Sequence, residues 1–192
     1  MIKSISKFLS FLFLAPFFRI RICGRENIPE EGALILCSNH ISMLDMFFIG
    51  YSIKRWIYWM AKEELFRIPV VSFVLDKLWG AFPVRRGKAD VESIKTALDH
   101  LKYGHIVGIF PQGTRSGKSI RRGAAHIALR ADVPLMPVCI KGGKKLFEKV
   151  TVKFGRPFRL TEKNMIRNNK DEIKKMSMII MENINRLMGE VD

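Results

Sequence analysis

The 192-residue chain carries 33 Lys and Arg against 18 Asp and Glu, a formal charge of +15, and 48% of its residues are hydrophobic. That apolar content excludes a disordered chain, and the length suits one domain with a sizeable core. The charge selects an anionic partner: nucleic acid, an anionic membrane surface or a phosphorylated small molecule.

Lys3 and Lys7 precede an apolar stretch, Phe8–Phe18, of eleven residues, whereas a membrane-spanning helix needs about 20. No small-residue cleavage site follows, as a signal peptide would require; Arg19, Arg21 and Arg25 follow instead. Met1–Ile20 therefore reads as a helix lying in a membrane interface, aromatics buried and bases near anionic head groups. The rival expectation is an N-terminal helix packed on the domain core. Pro29 and Gly32 punctuate a turn, so residues 1–30 are expected to form a membrane-associating helical segment and 31–192 the folded domain.

Ala33–Cys37 reads as a buried strand and Met46–Ile49 as the body of a short helix. Trp56–Met60 is aromatic-rich and strand-like, and Lys62–Phe66 suits a short helix. Pro69–Leu78 is apolar on nearly every face, with Pro69 suited to a helix start, so it either packs inside or faces lipid. Gly80–Val84 is another short strand. Lys88–Tyr103 is the clearest helix: Val91, Ile94, Ala97, Leu98 and Leu101 form one stripe, Asp90 caps its start and Gly104 ends it. His105–Phe110 reads as a buried strand, Arg122–Ala131 as a helix, Leu135–Ile140 and Val150–Phe154 as strands, and Asp171–Met188 as a helix. Strands alternating with helices predict an α/β fold with a largely parallel mixed sheet flanked by helices.

Cys23, Cys37 and Cys139 have no metal-ligand spacing and read as reduced thiols of a cytoplasmic-side protein. His100, His105 and His126 suit surface or core roles. His40 and Asp45 are different, because they stand in a polar group that interrupts two apolar runs. Polar side chains stranded there must be hydrogen-bonded or useful. Five residues apart on a continuous helix, they would diverge by about 140°. They converge if His40 occupies the turn after a strand and Asp45 the first turn of the next helix, where a carboxylate also suits the helix dipole. A carboxylate so placed fixes the imidazole tautomer and stabilises its charged form. The stretch Ser38–Asp45 alone fits a merely capped turn equally well.

Two further polar segments follow strands. Gly80–Gly87 ends in Arg85 and Arg86, side chains suited to bidentate phosphate recognition. Phe110–Ser116 offers Gly113 for close backbone approach, hydroxyls on Thr114 and Ser116, and the charge of Arg115. In parallel α/β sheets ligands bind outside the carboxyl ends of strands, so the three segments can share one pocket; each alone also suits a solvated basic turn. Neither a Gly-x-Ser-x-Gly elbow nor a Gly-x-x-x-x-Gly-Lys-Ser/Thr loop is present. A His base without a protein nucleophile points to direct attack by a substrate hydroxyl.

The chain resembles the 1-acylglycerol-3-phosphate acyltransferases of the glycerolipid acyltransferase family. Asn39–Asp45 is similar to the family's Asn-His-x-Ser-x-x-Asp block, Gly80–Arg85 to its Gly-x-x-x-x-Arg block, Phe110–Ser116 to Phe-Pro-Glu-Gly-Thr-Arg-Ser, and Val133–Val138 to its Val-Pro block with a second Pro. The four blocks fall in family order over Gly32–Gly142. The departure is Gln112, where the family usually has Glu; the amide keeps the shape but loses the charge, which bears on acceptor choice or rate. The resemblance implies His40 as general base, Asp45 as its orienting partner, and Arg85, Gln112, Gly113, Thr114, Arg115 and Ser116 as acceptor-binding residues. It implies acyl transfer from acyl-CoA or acyl carrier protein, as co-substrate, to the free hydroxyl of lysophosphatidate, giving phosphatidic acid. Neither metal nor cofactor is expected, and the protein is expected on the cytoplasmic face of an anionic membrane as a monotopic enzyme. Rival expectations are another acceptor (glycerol-3-phosphate or another lysolipid), a silent lipid-binding relative, or a basic nucleic-acid-binding protein; the last lacks any recognisable aromatic-basic binding motif.

Overall fold

The computed structural model describes residues 12, 14, 16–85, 90–112, 120, 122–160 and 170–191. Among these residues seven strands form one sheet: β1 Arg19–Cys23, β2 Leu34–Ser38, β3 Ile57–Lys62, β4 Ala81–Val84, β5 Ile106–Ile109, β6 Leu135–Lys141 and β7 Lys149–Phe154. Their spatial order is β1-β7-β6-β2-β5-β3-β4. Among these strands only the β6–β7 pair is antiparallel. The helices are α1 Asp45–Ser52, α2 Pro69–Phe73, α3 Val91–Lys102, α4 Gly123–Ala131 and α5 Lys170–Gly189. The expected α/β architecture is therefore present.

Period-two alternation divides the strand side chains between two cores. Leu34 and Leu36 of β2, Ile106 of β5, Met136, Val138 and Ile140 of β6, and Val150, Val152 and Phe154 of β7 face one side, packed with Phe48 and Ile49 of α1. Ile35, Cys37, Val107, Ile109 and Leu135 face the other, against Ala97 and Leu101 of α3, α4, and Ile180 and Ile184 of α5. Burial on both faces explains why the central strands are continuous apolar runs. Each such side chain, fully buried, contributes about 1.5–3 kcal/mol.

Locally the structure departs from the sequence expectation at several points. The reading carries a helix through Ile20, but a strand begins at Arg19 and pairs in parallel with β7, Arg19 opposite Lys149 and Cys23 opposite Lys153. Its alternation of exposed Arg with half-buried Ile follows directly on an apolar run and is masked by it. Most of the expected interface helix lies outside the described residues; Leu12 and Leu14 are helical, and Leu14 and Phe18 are buried in the first core. Lys62–Phe66 is a 3-10 turn at Glu63–Arg67. The segment from Pro69 changes at Val74 from an α-turn to a π-turn ending at Leu78. There Phe73 is 60% exposed, whereas Phe82 on β4 is buried in the second core. No described helix is long and apolar enough to cross a membrane.

Candidate active site

The parallel strands β2, β6, β5, β3 and β4 all end at one edge of the sheet, and the polar segments follow those ends. β2 stops at Ser38, and the chain turns out of the sheet through Asn39–Leu44 before α1 begins at Asp45. Asn39 makes that exit possible. Its buried amide donates to the Ile140 carbonyl and accepts from the Ile140 N–H, both at 2.8 Å, replacing the rungs β2 no longer supplies.

Asp45 is fully buried at the first position of α1. Its Oδ2 accepts from the backbone N–H of Ile41 at 2.7 Å and of Ser42 at 2.9 Å, and lies 2.7 Å from Nδ1 of His40. A carboxylate on Nδ1 places the ring proton there and leaves Nε2 as the acceptor. The two amides fix the carboxylate, and the carboxylate fixes the ring. The imidazole stacks on Phe110 with centroids 4.2 Å apart and planes at 22°. Phe110 in turn stacks on the buried Trp59 at 5.3 Å and 12°. His40 is thus held from two directions while its side chain stays 16% exposed. A positioned base within reach of solvent suits proton abstraction from a substrate hydroxyl.

Gln112 follows β5 and reaches the same segment, its Oε1 accepting from the His40 N–H at 3.4 Å. Arg85 follows β4, three strands from β2, or about 14 Å along the sheet. Its contacts are local: Nε donates to Glu63 Oε1 at 3.2 Å, and its backbone N–H donates to Asp90 Oδ2 at 2.6 Å. The Glu63 hydrogen bond and charge raise the pKa of this guanidinium. Asp90 also accepts from Ser93 N–H at 3.2 Å, capping α3 as expected. Burial pushes the Asp90 carboxyl up, but the Arg85 and Ser93 hydrogen bonds hold it below its ordinary value. So His40, Asp45 and Gln112 are brought together, and Arg85 shares their edge at a distance. Gly113, Thr114, Arg115 and Ser116 lie outside the described residues. Asn39, Phe110 and Glu63 act as positioning residues: the sequence reading places Asn39 and Phe110 at the start of two matched blocks without giving them a role, and does not connect Glu63 with the site. Two signals mark Asn39 in the sequence: a polar residue at the end of an apolar run, and its place in the Asn39–Asp45 block.

The acyltransferase family model matches residues 19–141, from β1 to the end of β6. The chain belongs to the acyltransferase family. A 1-acyl-sn-glycerol-3-phosphate acyltransferase of Bacillus subtilis is 33% identical over 181 residues, covering 90% of this acyltransferase and 90% of that protein. Another, of Borreliella burgdorferi, is 31% identical over 140 residues, 68% of this chain and 54% of the relative. Among solved structures, the 1-acyl-sn-glycerophosphate (LPA) acyltransferase of Thermotoga maritima shares the fold, with a TM-score of 0.66, 24% identity, and coverage of 97% of this chain and 78% of that one. The matched span contains both the His40–Asp45 pair and the Arg85 segment of this acyltransferase.

Proposed function

We propose that this acyltransferase moves a fatty acyl group from a thioester donor to the free hydroxyl of 1-acylglycerol-3-phosphate, giving phosphatidic acid. The observation that carries the chemistry is the buried Asp45 carboxylate 2.7 Å from His40 Nδ1. The relatives' names support the acceptor. His40 Nε2 takes the hydroxyl proton as the acceptor oxygen attacks the thioester carbonyl. The carbon–sulfur bond then breaks, and the departing thiolate receives that proton. Asp45 keeps its charge throughout, holding the tautomer and stabilising the imidazolium. Base catalysis of this kind contributes about 10²–10⁴-fold. Because a thioester is already a reactive acyl donor, the step calls for neither metal nor cofactor; acyl-CoA or acyl carrier protein enters as co-substrate.

Arg85, with Thr114 and Arg115, binds the acceptor phosphate, and Gln112, Gly113 and Ser116 shape the acceptor pocket. The resemblance of the blocks at 80–85 and 110–116 supports these roles. The acceptor is a lipid, so the enzyme works at an anionic membrane surface on the cytoplasmic side, consistent with the +15 charge. Gln112 in place of an acidic residue favours one second reading, acylation of a different lysolipid. His40→Ala tests the chemistry: thiol release with lysophosphatidate should fall by about 10³-fold or more with the circular dichroism spectrum unchanged. Near-normal turnover in that variant ends the assignment. A panel of lysolipids with a radiolabelled acyl donor separates the two acceptor readings.

A further inference from the structure

The connection between β6 and β7, residues 142–148, leaves the sheet at the edge that carries His40. The Asn39–Ile140 pairing sets the end of β6 beside the His40 segment, one strand over. Gly142 and Gly143 both adopt positive φ, 85° and 84°, and a Cβ on Gly142 would meet the Lys149 carbonyl at 2.1 Å. Only glycine makes this turn. Beyond it, Glu148 Oε2 accepts from the N–H groups of Lys144 at 2.9 Å and Lys145 at 3.1 Å, closing the loop on itself.

The loop so held presents its large side chains outward. Leu146 is 64% exposed and Phe147 71%. Phe147 adopts φ 65°, a conformation uncommon for a bulky residue. Its N–H donates to the Phe17 carbonyl at 2.7 Å, and the two rings lie 6.2 Å apart. Phe17 and Leu12 are themselves exposed. Two separate chain segments therefore join in one apolar patch, and packing within the folded chain does not favour that exposure. Bases surround it: Lys144 and Lys145 in the loop, Lys149 at the start of β7, and Arg19 directly opposite Lys149, all exposed. Glu148 is the one acid in the loop, and the Lys145 and Lys144 amides hold its carboxyl below its ordinary pKa.

We propose that residues 144–148, together with Phe17, insert into an anionic lipid surface and seat the His40 edge of the sheet toward it. Apolar tips ringed by bases complement acyl chains beneath anionic head groups. This deepens, and rests on, the reading of a lipid acceptor. An acceptor hydroxyl at head-group depth then meets His40 without its acyl chain leaving the bilayer.

The test uses the full chain and vesicles of phosphatidylcholine with or without phosphatidylglycerol. Leu146→Gln with Phe147→Asn removes the wedge while keeping the turn, because Asn tolerates positive φ. Binding to mixed vesicles should fall about tenfold or more. Turnover on lysophosphatidate in detergent micelles should stay within about twofold, and the melting midpoint should hold. Lys144→Gln with Lys145→Gln should weaken binding only where phosphatidylglycerol is present, about fivefold per lysine at low salt. Phe147→Trp fluorescence, above the native tryptophan background, should be quenched by lipids brominated on the acyl chain. Parent-like vesicle binding by the Leu146/Phe147 variant overturns the proposal. So does an unquenched Phe147→Trp protein that nevertheless binds, or a patch that proves by light scattering to join two copies of the chain while vesicle binding is retained. A parent protein inactive on every lysophospholipid in micelles would remove the acylation reading alone, and the vesicle measurements would still decide insertion.

Discussion

Replacing Asp45 by Asn separates the charge of the carboxylate from its shape. The side chain is fully buried, and its Oδ2 accepts from Ile41 N–H, Ser42 N–H and His40. A carboxamide can present an oxygen at the same place, so both backbone amides and the ring stay paired. What disappears is the attraction for the imidazolium formed during transfer. With charge centres about 4 Å apart and an effective dielectric constant of about 20, that attraction is about 4 kcal/mol. A loss of about 4 kcal/mol from transition-state stabilisation is about 10³-fold in kcat. The KM for the acceptor should not move, because the free base binds substrate uncharged. Stability should fall by about 1–3 kcal/mol, because the new NH2 group takes the buried, partnerless position of Oδ1. Asp45→Ala is harsher: two amides lose their acceptor, at about 1–3 kcal/mol each. Donor-thiol release followed with a chromogenic disulfide gives kcat, and urea titration followed by tryptophan fluorescence gives stability. A kcat for Asp45→Asn within about tenfold of the parent would refute the charge argument. Equal stability of the Asn and Ala variants would refute the account of the amides.

Gln112→Glu places a charged acceptor on the His40 N–H and should raise kcat/KM for lysophosphatidate about threefold or more without changing the melting midpoint. A decrease would mean that the amide is matched to another acceptor. Burial lowers the pKa of His100, helped by His105, and of His126, helped by Arg130. Each folded-state value therefore lies below the unfolded one, so the stability involved is complete above about pH 6.5 and is lost as pH falls through the folded values. The urea midpoint should drop on acidification across that window, and His100→Gln with His126→Gln should flatten the slope; an unchanged slope would contradict the assignment. Burial drives the Cys37 thiol well above its usual range and pushes Cys139 up to about 11. Iodoacetamide at mildly alkaline pH should therefore label half-exposed Cys23 first by mass spectrometry, with Cys37 and Cys139 reacting only on unfolding. Early labelling of Cys37 would place it outside the core.

Much of the architecture was readable because the central strands are buried on both faces. Ala33–Cys37 and Leu135–Ile140 announce themselves as uninterrupted apolar runs, and the α3 stripe packs as its helical period predicts from Ile94 to Leu101, while Val91 at its start is exposed. The convergence of His40 on Asp45 was also within reach, since a strand, a turn and a helix start leave few other routes between them. Strand β1 was not, because Arg19 and Arg21 follow an apolar run as lipid-facing bases would, and only the partner β7 turns that alternation into a strand. The change to a π-turn at Val74 carries no local residue signal. The stack of Trp59 and Phe110 behind His40 depends on β3 lying next to β5, which chain order does not state. Arg85 shows the limit of motif spacing: its segment reaches the expected edge, while its guanidinium meets Glu63.

Asn39 also tells an engineer what must travel together. Its amide imitates one peptide unit of a strand that is no longer there. Transplanting the histidine and its acid onto another sheet would fail without that mimic, because the neighbouring strand would recover its missing partner by drawing the chain back into the ladder. An aspartate at the same position would meet the Ile140 carbonyl with a second acceptor and push the two apart. The asparagine therefore belongs to the joinery of the fold, and the chemistry depends on it without its touching a substrate.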